Sequence, residues 1–295
     1  SPPPALGVFS ASTCNQQRLG RLCVGLNDNL TATDLNNIRY FIEYLKRGKV
    51  GLEFLAHLCR LPFTFAHERR LLASAEIVHL QTELEKKRSC RVWNEPSKYV
   101  VAPIGPKQML RKCEYQGLQS KTVLLMSQLT GKRGMDAKWF ISSVWKRIIH
   151  DDPDARLLVV GRRSADDRFW SDLPSSIQQT DYVEDLLELF EEVRIVAVPT
   201  LHNNGLVTRI LDGITAGIPV VTTPYAAATI VGFRNGVHGY AVSGPSQLSS
   251  AVVGLLSNGE KCLEMSKQCR RLADKRPTWL DTCQKIEESL RFSLS

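Results

Sequence analysis

Arg194-Ile-Val-Ala-Val-Pro-Thr200, then Asn203-Asn204-Gly205, then Leu206–Ala216 and Pro219-Val-Val-Thr-Thr223 form the stretch that decides the architecture. The first and last segments are short apolar runs rich in β-branched residues, the pattern of strands buried on both faces. Between them, apolar residues recur at helical spacing. The same alternation extends in both directions. Upstream, Thr122–Met126 reads as a strand, Asp136–His150 as a helix, and Arg156–Val160 as a strand closed by Gly161, with a further helix at 183–192. Downstream come a short strand, Tyr240–Val242, and helices near 246–256, 259–274 and 278–292. Strands that alternate with helices of this length specify a doubly wound α/β domain with a parallel sheet.

The region before it is organised differently. Apolar spacing over 34–60 (Leu35, Ile38, Phe41, Ile42, Leu45, then Leu52, Leu55, Leu58) predicts helix, and His67–Ala73 continues it. Glu76–Leu80 reads as a buried strand. Thr82-Glu-Leu-Glu85 is a capping box, and Tyr99–Ile104 a second strand ended by Gly105-Pro106. The expected division is therefore 1–105, a linker at 106–121, a doubly wound domain at 122–277 and a closing helix at 278–295.

Composition narrows the classes. The 295 residues are 43% hydrophobic and 23% charged, with 19 Gly and 14 Pro, close to the globular average. No apolar run approaches the ~18 residues of a membrane-spanning helix. Ser1-Pro2-Pro3-Pro4 reads as an extended lead-in. Eight cysteines are scattered without a Cys-x-x-Cys pair, which favours reduced, partly buried thiols and a reducing intracellular compartment. The sequon Asn29-Leu30-Thr31 keeps a secretory location open. Residues 1–121 hold 18 Lys and Arg against 10 Asp and Glu, the whole of the chain's net +8. Such a basic region fits an acidic partner: a protein face, RNA or anionic lipid.

Ligands of doubly wound sheets bind at the carboxyl ends of the strands. Two turns there carry polar groups. Asn203-Asn204-Gly205 precedes the helix 206–216, with Asp212 two turns along it to accept hydroxyl hydrogen bonds. Thr130-Gly131-Lys132-Arg133-Gly134 follows the strand 122–126 and sets two cations in a glycine-bearing loop suited to a diphosphate. For the first turn an ordinary helix cap with a solvated Asp212 is the competing reading, and for the second an ordinary loop, since loops with Lys and Gly are common. The six histidines show no metal-ligand spacing. No dinucleotide fingerprint, Walker loop or nucleophile elbow is present, and neither metal nor cofactor is expected.

Several segments resemble the GT-B-fold retaining glycosyltransferases of the large family-four nucleotide-sugar group. Met135–Ile148 is similar to the first helix of that family's donor half, and Pro153-Asp-Ala-Arg-Leu-Leu-Val-Val-Gly161-Arg162 to its second strand. Arg209-Ile-Leu-Asp-Gly-Ile-Thr-Ala-Gly217-Ile-Pro-Val-Val-Thr-Thr-Pro224 is the most specific match. His67-Glu-Arg-Arg-Leu-Leu through Gly105 resembles the end of an acceptor domain, and Pro277-Thr-Trp279 the start of the helix that crosses back.

The resemblance implies a Rossmann-like donor domain that binds a nucleotide-sugar without metal, behind a truncated, helix-rich N-terminal domain. It assigns donor binding to Gln128, Lys132, Arg133, Gly134, Asn203, Asn204, Gly205 and Asp212. The chain departs from the pattern at several of these. Ser127-Gln128 stands where the family has Gly-Arg, Arg133 where it has lysine, and Asn204 and Asp212 where it has paired glutamates. Ala226 and Thr229 stand where it has glycines. Loss of one charge-assisted phosphate contact costs about 1.5–3 kcal/mol. The expectation is a glycosyltransferase-like protein with an eroded site, a non-catalytic scaffold or subunit of a larger assembly. The alternative is an active retaining transferase.

Overall fold

The computed structural model describes residues 22–25, 52–201 and 205–294. They group into two compact units: residues 22–25, 52–105, 205–206 and 277–294 in the first, residues 106–201 and 207–276 in the second.

The first unit holds a parallel sheet of β1 (Leu22–Gly25), β2 (Ala75–Leu80) and β3 (Tyr99–Val101), in that order. Of the helix expected at 34–60, residues 34–51 lie outside the described residues. Leu52–Ser74 forms α1, which runs directly into β2. The capping box is present at the start of α2 (Glu83–Trp93): Glu85 N donates to Thr82 Oγ1, and Thr82 N to Glu85 Oε2. Leu72, Ala75, Val78, Leu80 and Tyr99 form the core of this unit.

The second unit is built on six parallel strands: β4 (Thr122–Met126), β5 (Arg156–Val160), β6 (Ile177–Thr180), β7 (Ile195–Val198), β8 (Val220–Thr222) and β9 (Gly239–Ala241). Their spatial order is β6-β5-β4-β7-β8-β9. The chain winds outward from β4 to β6, then returns beside β4 and winds the other way. This is the Rossmann order, and its switch point lies between β4 and β7.

Helices cover both faces, which is why the inner strands β5, β4, β7 and β8 are mostly apolar. Val123 and Leu125 join Phe140, Val144, Trp145 and Ile148 in one core, while Leu124 between them is buried on the opposite face. The first of these helices, α3 (Gly131–Trp139), continues through a π-helical stretch (Phe140–Trp145) into α4 (Lys146–Asp151). Then follow α5 (Leu186–Glu191), α6 (Thr208–Thr215) and α7 (Pro224–Ala227). The last pair is α8 (Gly244–Ser257) and α9 (Gly259–Asp274). The stretch 106–121, read as a linker, packs onto this unit through Leu110 and Cys113, both buried.

Two expectations need correction. Thr130–Gly134 is not a loop: α3 begins at Gly131, so Lys132, Arg133 and Gly134 lie on its first turn. The glycines suggested a break. At 134, however, the missing side chain is what lets the helix start close to β4, since a Cβ there would stand 2.5 Å from Leu129 O. Likewise α6 begins at Thr208, and its cap residue is Val207, whose N–H donates to Thr229 Oγ1 at 3.2 Å. The polar strand β6 (Ile-Gln-Gln-Thr) was not foreseen, because an edge strand can leave polar residues half wet.

Candidate functional site

In a sheet of this order the ligand crevice is expected past the carboxyl ends of β4 and β7. After Met126 the chain keeps pairing with β5 for one more bond, Ser127 N to Val160 O at 3.0 Å. Gly161 makes this possible, because any Cβ there would overlap Ser127 O. Gln128 is exposed, and Leu129 N bonds Arg162 O at 3.1 Å, which fixes the loop. The first turn of α3 then presents Arg133 to solvent. Asp136, one turn on, is buried and accepts from Leu201 N at 3.3 Å, tying α3 to the loop after β7. Thr200 in that loop is held by Thr223, whose hydroxyl donates to Thr200 O at 2.5 Å.

Arg209 on α6 reaches across the switch point. Its Nη1 donates to Met126 O and to Ser127 Oγ, both at 2.9 Å, and its Nη2 to Thr200 Oγ1 at 3.3 Å. One guanidinium thus joins the ends of the two strands that diverge there. Burial lowers its pKa to about 10; nearby Arg133 adds to the fall, while Asp136 and Asp212 oppose it. Asp212 follows at i+3, on the same face of the helix. Its side chain is 7% exposed, and Oδ2 accepts from Lys107 Nζ at 2.9 Å. Burial nonetheless raises its carboxyl above the ordinary value, with Lys107 and Arg209 opposing.

Of the residues singled out in the sequence, Gln128 lies between β4 and α3, Arg133 and Gly134 on the first turn of α3, and Asp212 on α6. The side chain of Lys132, and Asn203 and Asn204 altogether, lie outside the described residues. Gly205 is buried and groups with the first unit. Arg209, Ser127, Asp136, Thr200 and Lys107 were not anticipated as site residues. Arg209 carried a signal: it is a cation three residues from Asp212 in a helix that is otherwise mostly apolar. Lys107 carried none, lying 105 residues from its partner. Among the described residues no cluster of His, Cys, Asp or Glu could hold a metal, and no helix is long and apolar enough to cross a membrane.

What this arrangement can do chemically is hold an anion. Among the described residues, Arg133, Arg209 and Lys107 outnumber Asp136 and Asp212 by one charge.

Comparison with known proteins agrees with this fold. Residues 120–258 match the family model described as Glycosyl transferases group 1. HepE of Anabaena, solved in complex with UDP and glucose, is similar at a TM-score of 0.67 and 14% identity over 92% of this chain and 71% of its own. Sucrose-phosphate synthase of Thermosynechococcus elongatus is similar at 0.71 and 14% identity, over 95% of this chain and 70% of its own. For TarM of S. aureus the values are 0.62 and 13%, over 72% of this chain and 43% of TarM. The chain therefore spans less than half the length of TarM. No curated protein matches the chain in sequence. Residues 120–258 thus carry the group 1 glycosyltransferase pattern, and the fold of the chain is glycosyltransferase-like, of the GT-B type.

Proposed function

We propose that the crevice receives the diphosphate of a nucleotide-sugar without carrying the transfer through, and that the chain serves as a non-catalytic scaffold or subunit of a larger assembly. The observation that carries this reading is the Lys107–Asp212 pair at 2.9 Å. Asp212 occupies the position the resemblance assigns to sugar-hydroxyl recognition, yet its buried oxygen already holds an ammonium. A hydroxyl entering there has to compete with that ammonium, giving up a bond charged at both ends for one charged only at the carboxylate. Asn204, in place of a glutamate, removes a second carboxylate. Arg133 and Arg209 keep positive charge where a diphosphate would sit. The basic stretch 1–121 supports docking to an acidic partner, protein, RNA or anionic lipid.

A second reading, an active retaining glycosyltransferase, is favoured by the UDP and glucose bound to the similar HepE. One experiment separates the two: thermal melting of the chain against UDP, GDP, ADP and their sugars, with release of nucleoside diphosphate from each sugar followed in parallel. A ligand at a hundred times its Kd adds about 2.7 kcal/mol. A shift without turnover supports the proposal. Turnover replaces it with the transferase reading. A flat panel from folded protein overturns the crevice assignment.

A further inference from the structure

We propose that Arg209, reaching from α6 to the end of β4, supplies the phosphate-neutralising charge of this crevice in place of the residue after β4, which here is Gln128. The inference rests on the nucleotide reading above and names the group that performs its central step.

The geometry is specific. All three hydrogen bonds of the Arg209 guanidinium go to neutral oxygens: Met126 O, Ser127 Oγ and Thr200 Oγ1. No carboxylate accepts from it among the described residues, since Asp136 takes the Leu201 amide and Asp212 takes Lys107. Arg209 is therefore a cation locked in place by neutral acceptors, with its counter-charges at longer range. A planar fork held this way keeps two of its five N–H groups for a further acceptor and loses little freedom in using them.

Its position matters as much as its charge. Met126 ends β4 and Thr200 lies in the loop after β7, the two strands that diverge at the switch point, where ligands of such sheets enter. Arg133, exposed on the first turn of α3, is the second cation close enough to disfavour the charge on Arg209. An anion placed near both relieves that repulsion and gains from each. Ser127 has no charge and Gln128 is exposed, so the end of β4 contributes no cation of its own.

The test titrates pyrophosphate, UDP, GDP and ADP into wild type, Arg209→Gln, Arg209→Lys and the double variant Arg209→Gln/Gln128→Arg, each checked for folding by its melt. We expect Arg209→Gln to weaken every one of these anions about ten- to hundredfold and to reduce the salt dependence of binding. Arg209→Lys should keep part of the affinity, and Gln128→Arg should restore it in the Arg209→Gln background. Folded Arg209→Gln that binds as tightly as wild type overturns the inference and leaves the nucleotide reading intact. So does a loss that neither Arg209→Lys nor Gln128→Arg repairs, because that marks Arg209 as a staple between loops. Wild type that binds none of the four overturns both.

Discussion

Lys107 Nζ stands 2.9 Å from Asp212 Oδ2, and the two ends of the pair differ sharply: the lysine side chain is 49% exposed, the aspartate 7%. The lysine stays half exposed to water while the carboxylate loses nearly all of its hydration. Burial therefore outweighs the attraction, and the Asp212 carboxyl titrates above its usual range.

A pH dependence follows. An acid whose folded pKa is raised stabilises the fold below its unfolded pKa, near 3.8, and loses that contribution as pH rises through the folded value. Asp212→Asn cannot ionise. Its melting temperature relative to wild type should therefore climb between pH 4 and pH 8, a difference readable by circular dichroism. An offset that is flat or falls with pH would contradict the assignment.

Removing the other partner should act in the opposite sense. Lys107→Met leaves the buried carboxylate with one cation fewer. Because the lysine is half exposed, the expected loss at pH 7 is modest, about 1–2 kcal/mol, and should shrink near pH 4. Chemical denaturation at the two pH values measures it.

Gly134 sits on the first turn of α3, where alanine would ordinarily favour the helix by about 1 kcal/mol. Here the added Cβ would lie 2.5 Å from Leu129 O, a backbone atom that cannot swing aside. Gly134→Ala should thus destabilise by about 1–3 kcal/mol instead. A rise in melting temperature would show that the α3–β4 approach is looser than described.

Cysteine reactivity should divide by burial. Cys59 and Cys283 are exposed, whereas Cys113, Cys262 and Cys269 are buried. Burial pushes the Cys113 thiol up to about 11 and raises Cys262 and Cys269 as well. Alkylation of the native protein followed by peptide mass mapping should label the first two, and the other three only after unfolding.

Trp145 is 2% exposed in the main core, and its Nε1 donates to Ser176 Oγ at 3.2 Å. Trp145→Ala should cost about 3–5 kcal/mol through the cavity it leaves. Trp145→Phe, which keeps most of the volume, should cost clearly less. Equal losses would mean that the hydrogen bond, not the packing, dominates at this site.

By itself the sequence determined the class of the second unit. The runs Thr122–Met126, Arg156–Val160 and Ile195–Val198 are apolar without alternation, and only a parallel sheet covered on both faces buries both sides of such strands. Thr82 and Glu85 announced their capping box because its two bonds span three residues. Local chemistry of this kind is written in adjacent letters. Of the candidate site, the sequence pointed to Arg133 and Asp212, each on a helix that follows a strand of the sheet. Tertiary structure alone decided that Lys107 would close on Asp212 and that Arg209 would fall between Met126 and Thr200. Both depend on strand order. Placing β7 beside β4 brings residues some 80 to 105 positions apart into hydrogen-bond range, and no periodicity along the chain records which strands become neighbours.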